Sequence, residues 1–259
     1  MGGVAEHGVP AVVAIVRDGS LFCSGTLIAP RLVLTAGHCA LFTAAGINVS
    51  FGDSIVGGMQ IPATAAAVDP ALDLSDPQNP KNDVGVFFLA SDAPVAPQPL
   101  SVGAPVVGDT LRFVGFGTTG DDGGVSDIKR SVDLSVSKVG TNWVVTQAAV
   151  GKSICSGDSG GAALLSNANT DGPPYRLGGI IQGAPPTCDG ISVATRIDAN
   201  LPFIRKQLDA VDDHQYDQAP GCGLLGGRPT SFFSSLFLLS LFSVITCRRR
   251  KRIFVPREK

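Results

Sequence analysis

At 259 residues the chain can bury a sizeable core as one large domain or two small ones, and all-β folds often reach this length as a single unit. The formal net charge of −2 hides an asymmetry, because residues 248–259 carry seven Lys/Arg and one Glu and leave 13 basic against 21 acidic residues before them. An acidic body of this kind excludes a nucleic-acid partner and sets the basic tail apart as a separate feature.

In chain order, the start Met1-Gly2-Gly3-Val4-Ala5-Glu6-His7 has no basic residue and leads into no long apolar core, so it is no secretory leader. Six cysteines nevertheless fit two or three disulfides and an oxidising compartment. The two together create the expectation that the true start lies upstream. Val9 to Val16 is an apolar, β-branched run ended by the turn Asp18-Gly19. Further strands are predicted at Leu21–Cys23, at Gly25–Ala29 and, after the turn Pro30-Arg31, at Leu32–Thr35. Ala36-Gly37-His38-Cys39 then places an imidazole on a loop at a strand end. Residues 40–62 alternate in strand fashion, 69–82 read as a polar surface loop, and Asn82-Asp83 opens the apolar run Val84–Leu89.

Pro94 to Pro105 reads as an extended crossing between two half-domains. Strands are predicted again at 110–117, 129–136, 143–146, 162–165, 177–181 and 191–197. Leu201 to Val211 places apolar residues at 201, 204, 208 and 211, the spacing of an amphipathic helix. After Gln215 the character changes. Residues 212–228 read as a linker, 229–247 hold no charge over 19 residues, and Arg248-Arg249-Arg250-Lys251-Arg252 begins a basic tail at 248–259. A helix of that length rises about 28 Å, close to a hydrocarbon core, and the basic flank is that of a stop-transfer segment. The expectation is a single membrane-spanning helix over 229–247 with a cytoplasmic tail.

The stretch with the most specific chemistry is Cys155-Ser156-Gly157-Asp158-Ser159-Gly160-Gly161. A serine hydroxyl is a poor nucleophile and needs a base beside it and amide donors for the anion it creates. Glycines on either side let the backbone turn its N–H groups inward.

Taken together, Cys23-Ser24-Gly25-Thr26-Leu27-Ile28, Leu34-Thr35-Ala36-Gly37-His38-Cys39, Asn82-Asp83-Val84-Gly85 and Gly157-Asp158-Ser159-Gly160-Gly161 resemble the chymotrypsin/trypsin-like serine proteases, peptidase family S1. The likeness runs from about residue 8 to 210, with His, Asp and Ser in the family's order. It implies an all-β fold: a protease domain over 1–211 made of two antiparallel six-stranded β-barrels, approximately 1–100 and 101–200, with a C-terminal helix. It further implies a serine endopeptidase acting through an acyl-enzyme without metal or cofactor. His38, Asp83 and Ser159 would be catalytic, and the N–H groups of Gly157 and Ser159 would form the oxyanion hole. Cys23 with Cys39 and Cys155 with Cys188 match two family disulfides; Cys222 and Cys247 remain outside the pattern.

The resemblance also orders the substrate pocket. Ser153 falls at its base, where trypsin-like members carry an aspartate, and Gly183 falls on its wall, while Ser192 replaces a wall glycine and Ile181 a serine. A preference for small or medium apolar residues before the scissile bond follows. Asp158 would be the activation partner of a new amino terminus, which family members expose as Ile-Val-Gly-Gly and this chain lacks. A catalytically inactive homologue acting as a protein-binding module is the alternative. The expected partners are protein or peptide substrates, a macromolecular inhibitor, and the membrane through 229–247, with the protease domain outside the cell.

Overall fold

The β-branched runs and the turns between them build two closed barrels. The computed structural model describes residues 3–41, 43–76, 80–119, 127–147, 149–167, 173–183, 188 and 190–217, apart from the side chains of 212–217. The first barrel is formed by β2 (Val12–Arg17), β3 (Ser20–Ala29), β4 (Leu32–Thr35), β5 (Ile47–Phe51), β6 (Met59–Val68) and β7 (Gly85–Leu89). They close in the order β2-β3-β4-β7-β6-β5, antiparallel throughout. The turn read at Asp18-Gly19 joins β2 to β3 with φ of 50° and 82°, the double positive φ that matches the twist of a two-residue hairpin. The runs 21–23 and 25–29 prove to be one ten-residue strand, β3.

The second barrel contains β8 (Thr110–Gly115), β9 (Arg130–Val139), β10 (Trp143–Thr146), β11 (Ala162–Ser166), β12 (Tyr175–Gly183) and β13 (Val193–Arg196). Its order is β9-β10-β13-β12-β11-β8, and β8 pairs back to β9. A two-residue strand that the sequence did not suggest, β1 (Val4–Ala5), pairs with Ser131 and Arg130 on β9.

Period-two alternation explains the burial of both faces of β2 and β3. Ala11, Val13, Leu27, Val33, Val49 and Phe51 belong to a cluster confined to the first barrel. The intervening residues Val12, Ala14, Leu32 and Leu34 join Val114, Phe116, Leu164 and Ile180 of the second. The barrels therefore share one apolar seam. At ~25 cal/mol per Å² of apolar area, each fully buried Leu or Phe in it contributes about 1.5–3 kcal/mol. At one end of the seam the Lys129 side chain is fully buried; its ammonium donates to the Val9 carbonyl at 3.0 Å and pairs with Asp53 at 3.2 Å. Burial pushes that ammonium down, and the hydrogen bond and charge of Asp53 oppose the shift.

The expected amphipathic helix is α2 (Leu201–Asp217), longer than the periodic run suggested. It buries Phe203, Ile204, Gln207 and Val211 while Arg205, Lys206 and Asp209 face solvent. The membrane-spanning helix is a correction to the sequence reading, because no helix among the described residues is long and apolar enough to cross a membrane. The longest, α2, carries charges on its outer face, so it is a surface helix packed by one stripe. Residues 218–259, with most of the linker 212–228, the segment 229–247 and the tail 248–259, lie outside the described residues. The membrane as a partner and the single-pass topology are withdrawn with that helix, and the fold class reduces to two barrels and a C-terminal helix.

Candidate active site

His38 and Asp83 meet in the first barrel, and the serine turn of the second packs against that barrel through Ser24. His38 sits on α1 (Gly37–Ala40), the single helical turn that follows β4. Gly37 permits a close approach here, because a Cβ on it would lie 2.9 Å from Val84 N and 3.1 Å from Asp83 Oδ1. The Asp83 carboxylate is fully buried. Its Oδ1 accepts the His38 backbone N–H at 2.8 Å, and its Oδ2 lies 2.9 Å from His38 Nδ1. The preceding residue, Asn82, holds a left-handed φ of 50°, a conformation that Asn tolerates better than most residues. Its side chain donates to the Ala71 carbonyl at 2.9 Å and accepts from Asn142 Nδ2 of the second barrel at 2.5 Å, which locks the turn presenting Asp83.

Ser159 occupies the tight turn before β11 and is half-buried. Its carbonyl accepts the Ser24 N–H at 2.8 Å and lies 3.8 Å from Cys39 Sγ, next to His38. Among the described residues the His38 ring has its hydrogen bond to Asp83 and none to the Ser159 hydroxyl. Nucleophile–base contacts are often loose without substrate and tighten when it binds. Gly160 brings the turn against the first barrel with a φ of 83°, where a Cβ would overlap Thr35 Oγ1 and Ser24 O and lie 2.9 Å from Ala36 N. Gly160→Ala is expected to cost roughly 3 kcal/mol or more, from positive-φ strain and overpacking together. A lowered urea midpoint at unchanged m-value would register it; a change under about 1 kcal/mol would count against so tight a fit.

The Ser156 carbonyl accepts the Thr118 N–H at 2.8 Å, and across the trans peptide this turns the Gly157 N–H the opposite way. Asp158, the expected partner of a new amino terminus, meets backbone amides in the structure. Its carboxylate accepts the Gly117 N–H at 2.7 Å and the Cys155 N–H at 2.8 Å. Burial raises its carboxyl above the usual range, and the amides of Cys155 and Gly117 counter the rise. Beside it lies a cavity of about 30 Å³ lined by Gly3, Gly115, Gly117, Arg130 and Ser153 among others.

Cys23 is bonded to Cys39 and Cys155 to Cys188. Cys23, His38 and Cys39 cluster within 4.8 Å, but the bonded sulfurs offer no thiolate to a metal. Cys222 and Cys247 fall outside the described residues. Ser153 is buried, with its hydroxyl directed at the carbonyls of Ile154 and Cys188. Ser192 is buried too; its Oγ accepts from Ile154 N at 3.2 Å and its N–H donates to Thr146 Oγ1 at 3.1 Å. Its hydroxyl therefore holds the segment 153–154 through the Ile154 amide. Ile181 exchanges backbone hydrogen bonds with the serine turn, Gly160 N to Ile181 O at 2.7 Å and Ile181 N to Gly161 O at 2.9 Å, and Gly183 ends β12.

Several residues escaped the sequence reading. Ser24 stood in the motif Cys23–Ile28 without a role of its own, and Thr118 and Asn142 have no local pattern to mark them; all three act through partners distant in the chain. Gln182 is different, since a polar residue inside the apolar run of β12 is itself a signal. It is buried and donates from Nε2 to the Pro80 carbonyl at 2.6 Å, while its Oε1 has no hydrogen-bond partner among the described residues.

The family model for trypsin matches residues 3–204. A serine protease of Anopheles gambiae is 30% identical over 181 residues, covering 64% of this chain and 67% of the relative. Brachyurin of Leptuca pugilator is 29% identical over 186 residues, covering 62% of this chain and 79% of its own length. The solved structure of neuropsin, a serine protease expressed in the limbic system of mouse brain, superposes with a TM-score of 0.70 over 80% of this chain and 99% of that one. At 22% identity that likeness speaks for the fold alone. With two antiparallel barrels, a His–Asp pair at their junction and the family model matched along most of its length, the chain belongs to the trypsin family of serine proteases, peptidase family S1.

Proposed function

We infer that this serine endopeptidase cuts peptide bonds through an acyl-enzyme at Ser159, with His38 as the base and Asp83 as its orienting partner. The observation that carries the reading is the buried Asp83 carboxylate, which holds both the backbone N–H and Nδ1 of His38 beside the Ser159 turn. A carboxylate on Nδ1 leaves Nε2 free to take the hydroxyl proton during attack and to return it to the leaving amine. It also stabilises the imidazolium formed between the two steps. The N–H groups of Gly157 and Ser159 receive the oxyanion, where one donor is typically worth ~3 kcal/mol. Asp158 orders the loop that presents them.

The substrate pocket takes small or medium apolar side chains before the scissile bond. Support comes from Ser153, which carries no charge and directs its hydroxyl at backbone carbonyls, so this side chain gives no reward to a Lys or Arg. A fluorophosphonate is expected to label the full chain once, on the peptide bearing Ser159, and a peptide library to yield cuts after Ala, Val or Leu. Labelling elsewhere, or none at all, would count against the nucleophile. Cuts after Lys or Arg would overturn the pocket assignment alone.

A further inference from the structure

Ser24 lies within β3 of the first barrel and is fully buried against the serine loop of the second. Its Oγ donates to the Gly157 carbonyl at 2.9 Å and accepts the Phe116 N–H at 3.0 Å. Its own backbone N–H holds the Ser159 carbonyl at 2.8 Å, and its carbonyl accepts from Thr35 Oγ1 at 2.8 Å. One residue thus grips both ends of the stretch Gly157–Ser159.

We propose that Ser24 is a positioning residue whose hydroxyl holds the oxyanion donors of Gly157 and Ser159 ready for the transition state; the inference rests on Ser159 being the nucleophile. Gly157 sits between two peptide planes, and with a φ of 92° it has the freedom that only glycine has there. The plane before it is tied through the Ser156 carbonyl to Thr118, and the plane after it through its own carbonyl to Ser24. With both planes tied, neither backbone torsion of Gly157 can turn without breaking a hydrogen bond. The donors then need no reorganisation when charge develops, which is the condition under which they lower the barrier most. Cutting the Ser24 tie frees one plane and leaves the triad untouched. The loss therefore falls on transition-state binding and not on ground-state binding.

The test compares wild type and Ser24→Ala of the full chain with an Ala-ended peptide substrate, the matching peptide aldehyde and the matching peptide alcohol. The aldehyde adds to Ser159 and places an oxyanion in the hole, whereas the alcohol only fills the pocket. The expected result is a fall of about 10–100-fold in kcat/KM carried by kcat, a matching loss of aldehyde affinity, and alcohol affinity unchanged within about twofold. A folded Ser24→Ala with unaltered kcat/KM would overturn the proposal, and so would parallel losses of aldehyde and alcohol affinity, the mark of a purely structural role. Should Ser24→Ala not fold, Ser24→Cys fills the space with a weaker donor and must show the same split. A wild-type chain that neither turns over substrate nor binds the aldehyde would overturn the nucleophile assignment together with the clamp.

Discussion

Ser159→Ala is expected to lower kcat by about 10⁶-fold, near 8 kcal/mol of transition-state stabilisation, and to leave the chain folded. The fold should notice little, because Ser159 contacts its neighbours through its carbonyl, which alanine keeps. Its hydroxyl is not bonded to the imidazole, so the thermal midpoint should barely move. His38→Ala should cost as much, and the double variant no more than either alone. A nucleophile without its base and a base without its nucleophile fail at the same step. The rate left over, about 10³-fold above water, belongs to the amide donors and substrate binding. Purified Ser159→Ala keeping more than about 1% of wild-type turnover would end the assignment.

Much of this site was legible in the sequence because its chemistry demands residue types at close spacing. The turn Gly157–Gly161 must be glycine-rich to fit against Thr35, Ser24 and Ala36, and Gly37 must be small to admit Asp83, so both motifs survive as short words. The pairings of Cys23 with Cys39 and of Cys155 with Cys188 were implied by the family resemblance, and both bonds are formed. Individual strands followed from period-two alternation and from turns such as Asp18-Gly19, while their closure into two barrels was implied by the family resemblance alone. Hidden were the contacts made by unremarkable residues across the seam. Nothing local in the sequence marks Lys129, yet it is buried because Val9 and Asp53 reach it from distant segments. Ser24 stands in the motif Cys23–Ile28, but its hydroxyl's role exists only once Gly157 and Phe116 meet it. The strand β1 is two residues long and is created by its partner, with no local propensity to announce it. The membrane helix failed differently. A hydropathy run is a statement about composition; the run 229–247 lies outside the described residues, among which no helix is long and apolar enough to cross a membrane.

Asp83→Asn separates the orienting carboxylate from everything else the site needs. The native carboxylate accepts at both oxygens, Oδ1 from the His38 backbone N–H at 2.8 Å and Oδ2 facing Nδ1 at 2.9 Å. An asparagine of the same shape has one acceptor and one donor. If its oxygen keeps the backbone N–H, its amide donates to Nδ1, and the ring proton is forced onto Nε2. The atom that must accept the Ser159 proton is then already occupied. If the amide turns over, its N–H groups face the backbone N–H and that buried bond is lost, which costs about 1–3 kcal/mol. The first arrangement should prevail, giving a folded enzyme with the wrong tautomer and a kcat lowered about 10⁴-fold, the scale known for this arrangement in the family. Alcohol-inhibitor affinity should change little, since the pocket around Ser153 and Gly183 does not touch Asp83. Proton NMR supplies the independent readout, with the downfield Nδ1–H resonance of the wild type absent from the variant. A loss smaller than tenfold, with that resonance intact, would mean that Asp83 braces the α1 turn and has no part in setting the tautomer of His38.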